Sequence, residues 1–132
     1  MLSLMFEPLR KYATFTGRAR RTEYWLFWLF TFVVEMVVGG LTGSFSHGIE
    51  YMTTVSFGLM LYLVVALALI VPSLAVAVRR LHDTNRSGWW VLIGLLPVLG
   101  ALVLLVFMVL PGTVGANSYG EDPKAGLQPA AA

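Results

Sequence analysis

Residues 79–90 read RRLHDTNRSGWW, and residues 17–25 read GRARRTEYW. Each stretch carries several arginines followed by aromatic residues, and each adjoins a long apolar segment. Arginine is attracted to anionic lipid headgroups, whereas tryptophan and tyrosine prefer the interface between a membrane and water. The two stretches therefore indicate where a membrane surface meets the chain, and which side of it is cytoplasmic.

The composition supports a membrane environment. Of the 132 residues, 58% are hydrophobic and 12% are charged, whereas soluble domains have roughly 45–50% apolar and about 25% charged residues. A soluble domain of this length has too small an interior to bury so much apolar surface. The chain contains no cysteine, which excludes disulfides, thiolate metal sites and cysteine nucleophiles.

Three apolar segments, at about residues 24–42, 57–78 and 89–110, are long enough to span a bilayer. A spanning helix needs about 20 mainly apolar residues, and a helix satisfies its own backbone groups in lipid. We predict an all-α membrane protein with three transmembrane helices, in a single integral membrane domain over residues 1–123, and a disordered tail over residues 124–132. The first segment lacks a small-residue cleavage site, which favours a retained anchor over a signal peptide.

The third segment is interrupted by Gly94, Pro97 and Gly100. Proline removes a helical hydrogen bond and kinks the chain, although membrane helices tolerate it. We predict a kinked spanning helix, and the alternative is a re-entrant hairpin that returns the turn-rich C-terminal tail to the cytoplasm.

Basic residues are distributed unevenly along the chain. The segment before the first span and the loop after the second hold eight of them, whereas the 42–56 loop holds none and the tail holds only Lys124. The positive-inside rule places the rich side in the cytoplasm. We therefore predict a multi-pass protein with a cytoplasmic N-terminus, and three crossings place the tail outside. The eight residues are Arg10, Lys11, Arg18, Arg20, Arg21, Arg79, Arg80 and Arg86.

The N-terminal stretch places four apolar residues at helical spacing: Leu2, Met5, Phe6 and Leu9. This pattern is typical of a helix lying on the cytoplasmic surface of the membrane, with Pro8 in its first turn. The alternative is a frayed terminus.

Three motifs in a fixed order carry a resemblance to a known family. They are residues 15–25 (FTGRARRTEYW), residues 79–83 (RRLHD) with 87–90 (SGWW), and the tail residues 111–113 (PGT) and 117–123 (NSYGEDP). The chain resembles, over nearly its whole length, the domain-of-unknown-function 805 family of small bacterial inner-membrane proteins. The resemblance implies an integral protein of the bacterial cytoplasmic membrane. It implies no activity and no catalytic residues.

The second basic stretch has a structural interpretation that needs no ligand. Arg79 and Arg80 complement the negative end of a helix dipole, and Ser87 can cap the next helix. We expect Asp83 to pair with an arginine of the first stretch, because an arginine–carboxylate pair fixes geometry through two hydrogen bonds. The membrane topology alone gives no reason for a histidine at position 82, so His82 is the residue that this interpretation explains least well. The candidate lipid- or partner-binding residues are Arg18, Arg20, Arg21, Arg79, Arg80, His82, Asp83 and Arg86.

Two further groups of residues are candidates. Glu35 lies within the first span, where an ionised acid costs several kcal/mol, so it is either a proton, cation or packing site or lies near the outer interface. Thr31, Glu35, Gly39 and Gly43 share one face and predict a helix contact. The interfacial anchors are Tyr24, Trp25, Trp89 and Trp90.

Three functions remain open. The preferred hypothesis is a non-enzymatic module that binds anionic lipid headgroups, a membrane protein partner or a second copy through the arginine-rich junctions. The alternatives are an oligomeric transporter or ion pathway that uses Glu35, and a lipid-headgroup enzyme that uses His82 and Asp83. No catalytic motif, cofactor fingerprint or metal-ligand set is present, and nucleic-acid binding is not expected because lipid competes for the basic residues.

Overall fold

The computed structural model describes residues 1–42 and 52–127, with side chains from residue 58 onward in the second range. Every named element in these ranges is helical, in agreement with the predicted all-α class. The elements are α1 (Leu2–Arg10), α2 (Arg21–Leu41), α3 (Met52–Asp83), a 3-10 helix (Gly88–Leu95), α4 (Leu99–Val109) and a short 3-10 turn (Ala125–Leu127).

Helices α2 and α3 form the centre of the fold. They are the two helices in the described part of the chain that are long and apolar enough to cross a membrane. Their contact buries Phe27 and Val76 with Ala19, and Leu69 packs against this cluster. Most of their outward surface is apolar and exposed, which is the pattern expected of helices whose surroundings are lipid.

Helix α1 packs against both central helices, so the N-terminal segment is an ordered helix. The ring of Phe6 meets that of Phe30 edge-on at 5.4 Å, and Leu9 packs on the core cluster. The prediction that Pro8 lies in the first turn is wrong: Pro8 lies in the interior of the helix and is buried. Packing of α1 offsets the hydrogen bond that this proline removes.

A second proline gives α1 its attachment point on α3. Pro72 lies inside α3 and has no N–H, so the carbonyl oxygen of Ala68, four residues earlier, lacks its helical donor. The hydroxyl of Tyr12 donates to this oxygen at 2.5 Å. The side chain that follows α1 thus satisfies a carbonyl that would otherwise have no partner within its helix.

The third apolar segment is a hairpin. The 3-10 helix and α4 pack against each other, with the rings of Trp90 and Phe107 at 5.6 Å, and the ends of both arms lie beside the end of α3. At the tip, the N–H of Leu99 donates to the carbonyl of Pro97 at 2.7 Å, across Val98 at φ 61 and ψ −63, a tight turn of the γ type. The structure therefore lacks the single kinked helix predicted over residues 89–110 and has a helical hairpin in its place.

The tail after α4 crosses the end of α3. The N–H of Thr113 donates to the carbonyl of Asp83 at 2.7 Å, and the carboxylate of Asp122 accepts from the N–H groups of Lys124 and Gly115. These two backbone donors lower the pKa of the Asp122 carboxyl. Residues 128–132 of the predicted disordered tail lie outside the described ranges.

Candidate functional site

The two basic stretches meet at one end of the α2–α3 pair. The N–H of Ala19, two residues before α2, donates to the carbonyl of Arg79 in the penultimate turn of α3 at 3.0 Å. This bond joins the two backbones and brings charged side chains of both stretches into the interior. We call the five buried charged residues the arginine clamp: Arg18, Glu23, Arg79, Arg80 and Asp83.

Asp83 is the centre of the clamp. One of its carboxylate oxygens accepts from Nε of Arg18 at 3.0 Å, and Nη2 of Arg18 lies 2.9 Å from the same oxygen. The other accepts from Nη1 of Arg80 at 2.5 Å. Asp83 is only 2% exposed, and two guanidinium groups compensate for the loss of its hydration. The expected pairing of Asp83 with an arginine of the first stretch is confirmed, and the arginine is Arg18.

The same two arginines bind the tail. Arg18 donates through Nη1 to the carbonyl of Gly115 at 2.6 Å and through Nη2 to that of Thr113 at 2.5 Å. Arg80 donates through Nε to the carbonyl of Met108 at 3.3 Å and through Nη2 to that of Leu110. The last carbonyls of a helix lack intrahelical donors and form the negative end of its dipole, so Arg80 satisfies the C-terminus of α4.

Gly112 lets the tail approach Asp83. A Cβ atom at this position would overlap both carboxylate oxygens of Asp83. The Pro-Gly pair after α4 is therefore required by close packing as well as by the end of the helix.

Arg79 makes the third ion pair of the clamp, with Glu23. Its Nη1 donates to Glu23 Oε1 at 2.7 Å, and both side chains are almost fully buried. Its Nε and Nη2 are buried, and neither has a hydrogen-bond partner among the residues that the structure describes. The clamp contains three guanidinium groups and two carboxylates, so it carries an excess of positive charge, and the unsatisfied donors lie on Arg79.

Comparisons with known proteins match the sequence of this chain to a protein family. The family described as "Protein of unknown function (DUF805)" matches residues 12–121, which include the whole clamp and the tail that it binds. The chain belongs to the DUF805 family.

Three named relatives come from Escherichia coli (strain K12). Inner membrane protein YhaI is 46% identical over 118 residues, covering 89% of this chain and 92% of the relative. Inner membrane protein YhaH is 42% identical over 119 residues, covering 88% and 92%. The uncharacterized protein YiiR is 30% identical, covering 83% and 85%. No solved structure matches this chain.

The other predicted arginines of this DUF805 protein lie outside the clamp. Arg21 is exposed and donates one N–H to the carbonyl of Val109 at 3.2 Å. Arg86 donates to the carbonyl of Thr84, and its guanidinium lies 4.4 Å above the centre of the Phe107 ring. Arg20 is half-buried in extended backbone before α2. The eight predicted binding residues thus fall into two groups. Four belong to the clamp: Arg18, Arg79, Arg80 and Asp83. The other four adjoin it and are called the rim: Arg20, Arg21, His82 and Arg86.

His82 adjoins the clamp and makes different contacts. Its Nδ1 lies 3.0 Å from the carbonyl oxygen of Gly17, and its ring stacks on that of Tyr119 with centroids 4.1 Å apart. Both carboxylate oxygens of Asp83 face arginines, so Asp83 does not orient the imidazole. The residues that the enzyme hypothesis needs are adjacent in sequence, but their side chains have separate partners.

The predicted interfacial aromatics have different environments in this DUF805 protein. Trp89 is 80% exposed and Trp90 is 46% exposed. Tyr24 and Trp25 are half-buried against the cluster formed by Ala77, Leu81 and Met108, so they also fix α2 against α3 and α4.

Glu35 lies in the second half of α2 and is half-buried. No hydrogen bond or ion pair joins its carboxyl to another residue in the described ranges. Of its predicted stripe, Gly39 is buried and Thr31 donates to the carbonyl of Trp28, whereas Gly43 lies outside those ranges.

Metal binding gains no support from the described part of the chain, where no three His, Cys, Asp or Glu residues form a possible ligand group. Sequence reasoning missed the Arg79–Glu23 pair and the tail as a partner of the clamp. A signal for the first was available, because Glu23 is the acid within the first basic stretch. The tail contacts use backbone carbonyls, which no side-chain pattern reveals.

Proposed function

We propose that this DUF805 protein is an inner-membrane protein in which α2 and α3 cross the bilayer and the hairpin of the 3-10 helix and α4 is re-entrant. The N-terminus and the tail then both lie in the cytoplasm. Two observations support this topology: no Lys or Arg falls between Arg21 and Arg79, and the tail packs on the arginine end of α3. Under this topology Lys124 joins the other basic residues, so the positive-inside rule holds for all of them.

We further propose that the protein is a non-enzymatic module that binds anionic lipid headgroups. The clamp residues do not provide this binding, because their guanidinium groups are directed inward. Residues of the rim bind the lipid headgroup, and Arg21 is the residue on which this proposal rests. Arg21 borders an apolar groove of about 520 Å³ that is lined by Trp25, Leu29 and Val109, and only one of its N–H groups has a partner in the described part of the chain.

A cation at the edge of an apolar groove suits a phospholipid. The acyl chain would lie along Trp25 and Leu29. The phosphate would accept hydrogen bonds from the N–H groups of Arg21 that have no partner in the described part of the chain. Arg20, next to it, adds positive charge. The binding needs no nucleophile, acid or base, which agrees with the absence of a catalytic motif in the sequence.

Native mass spectrometry of the protein in micelles with equal phosphatidylglycerol and phosphatidylethanolamine tests this function. We expect wild type to retain phosphatidylglycerol, and Arg21→Gln to retain about fivefold less, since a cation near a membrane surface contributes about 1 kcal/mol. Lys124→Gln is the control, because it removes the same charge from a residue that does not line the groove. Equal losses in the two variants, or no preference in wild type, would contradict the proposal. A co-purifying protein in the same spectra would identify a partner.

A further inference from the structure

We propose that His82 forms a second lipid subsite, which selects anionic lipids whose headgroup bears a hydroxyl. The inference rests on the proposed binding of anionic lipid and adds headgroup specificity to it. The observation that carries it is the free Nε2 atom of His82 at the wall of a groove. Neither the internal network nor the topology of the chain uses this atom.

The hydrogen bond at Nδ1 fixes which nitrogen of His82 carries the proton. Nδ1 lies 3.0 Å from the carbonyl oxygen of Gly17, and a carbonyl oxygen only accepts, so Nδ1 of the neutral ring is the donor. Nε2 is then an unprotonated acceptor. Stacking on Tyr119, with an angle of 2° between the rings, holds the imidazole plane. The direction of the acceptor is therefore set before any ligand arrives.

Nε2 lies beside a groove of about 510 Å³ at the arginine end of the molecule. A Cβ atom at Gly88, which lines the groove, would lie 3.4 Å from Nε2. No group in the described ranges donates to this nitrogen. The remaining wall is largely apolar and is formed by Phe15, Val78, Trp89, Val91 and Leu92, and the volume lies in the range of small-molecule sites.

Among the side chains that line the groove, the polar groups are those of His82 and Ser87 and the indole N–H of Trp89. Ser87 lines it together with His82, and its oxygen accepts from the N–H of Trp89 at 3.4 Å, so its own hydrogen remains to be donated. An acceptor on His82 and a donor on Ser87, both in the lining of one groove, match a hydroxyl group, which needs both. The apolar wall suits the glycerol backbone and first methylenes of a lipid. Among anionic phospholipids, phosphatidylglycerol presents such a hydroxyl.

A matched pair of lipids tests the inference. Phosphatidylglycerol and phosphatidylmethanol with the same acyl chains have the same charge, but only the first bears headgroup hydroxyls. We expect wild type to retain phosphatidylglycerol about fivefold better in native mass spectrometry, the effect of one net hydrogen bond. In His82→Asn the preference should disappear, because an amide can still donate to Gly17 but offers no acceptor at the Nε2 position. Tyr119→Phe keeps the stacked ring and should keep the preference.

The outcomes separate this inference from the proposed function. If wild type retains both lipids equally, the His82 subsite is wrong, while the proposed anionic-lipid binding stands. If neither lipid is retained, both proposals fail. Persistence of the preference in His82→Asn would also overturn the subsite.

Nitrogen NMR of the wild-type imidazoles provides a test that does not depend on a variant folding. At a pH above the imidazole titration range, the unprotonated Nε2 signal of His82 should move upfield when phosphatidylglycerol replaces phosphatidylmethanol. His47→Asn assigns the signals, because His47 is the other histidine of the chain. A protonated Nε2, or the same signal in both lipids, would overturn the proposal.

Discussion

At the scale of single residues, burial separates two roles of arginine. Arg80 is fully buried and donates to a carboxylate and to the carbonyls at the end of α4. Arg21 is exposed at the rim of a groove. The same side chain is structural where it is buried and donates to internal acceptors, as Arg80 does, and available for ligands where it is exposed, as Arg21 is.

The clamp predicts a large effect of neutralising its central acid. Asp83→Asn leaves Arg18 and Arg80 buried without a counter-charge, and the loss of one partner of a buried ion pair costs about 3–5 kcal/mol. Thermal unfolding of the solubilised protein, followed by tryptophan fluorescence, measures this cost. Glu121→Gln is the matched control, because Glu121 is exposed. Similar melting temperatures for the two variants would show that the clamp does not stabilise the fold.

Asp122 predicts a pH dependence that is confined to the tail. Its pKa in the folded protein is lowered by backbone N–H donors, so the stabilisation is present above the unfolded pKa and is lost as the pH falls through the folded pKa. We therefore expect the Gly115 and Lys124 amides to remain protected from hydrogen exchange until the pH is below the usual range for aspartate. Asp122→Asn should lack this transition. Loss of protection within the usual range would contradict the assignment.

At the scale of elements, prolines determine how helices attach to one another. Pro72 leaves one carbonyl of α3 without a helical donor, and the chain after α1 supplies the donor from Tyr12. An unsatisfied carbonyl is costly in lipid, so the position of α1 is coupled to the position of this proline. A missing hydrogen bond within one helix thus specifies where another helix attaches.

A double-mutant cycle tests this coupling. Tyr12→Phe should lower the free energy of unfolding by about 1 kcal/mol, the usual net contribution of a hydrogen bond. In a Pro72→Ala background the loss should vanish, because the N–H of residue 72 then bonds Ala68. The free energies come from denaturant unfolding of all four proteins. An unchanged effect of Tyr12→Phe in the Pro72→Ala background would show that the hydroxyl acts elsewhere.

The sequence predicts some of these elements better than others. Helices α2 and α3 follow from long apolar segments, and the Arg18–Asp83 pair follows from complementary charge in two motifs. The hairpin does not follow, because residues 89–110 are apolar throughout and a kinked helix has the same composition. Long-range bonds from Arg80 to the carbonyls of Met108 and Leu110 distinguish the two forms, and these acceptors belong to the backbone.

At the scale of the whole molecule, the hairpin underlies the proposed topology, in which the chain crosses the bilayer twice rather than three times. The N-terminal segment, the loop after α3 and the tail then share one side of the bilayer. In that topology the segment that joins α2 to α3 is on the other side, and no Lys or Arg falls between Arg21 and Arg79. Under the proposed topology, the positive-inside rule then holds for every Lys and Arg of the chain.

Cysteine labelling tests this topology directly, because the chain has no cysteine of its own. Ala13→Cys and Ala116→Cys are at exposed positions and should react with a membrane-impermeant maleimide only in inverted vesicles. Ser46→Cys, in the loop between α2 and α3, should react in intact cells whose outer membrane has been permeabilised. Labelling of Ala116→Cys from outside would restore three crossings and contradict the re-entrant hairpin.

The order of synthesis gives the clamp one more consequence. Arg18 leaves the ribosome early, but two of its acceptors, the carbonyls of Thr113 and Gly115, are among the last described residues to be made. During translation, the Arg18 guanidinium group therefore gains these two acceptors only after Thr113 and Gly115 have been made. A prematurely ended product would retain both long apolar helices and the Arg18–Asp83 pair but lack these acceptors, so part of the Arg18 guanidinium group would have no partner.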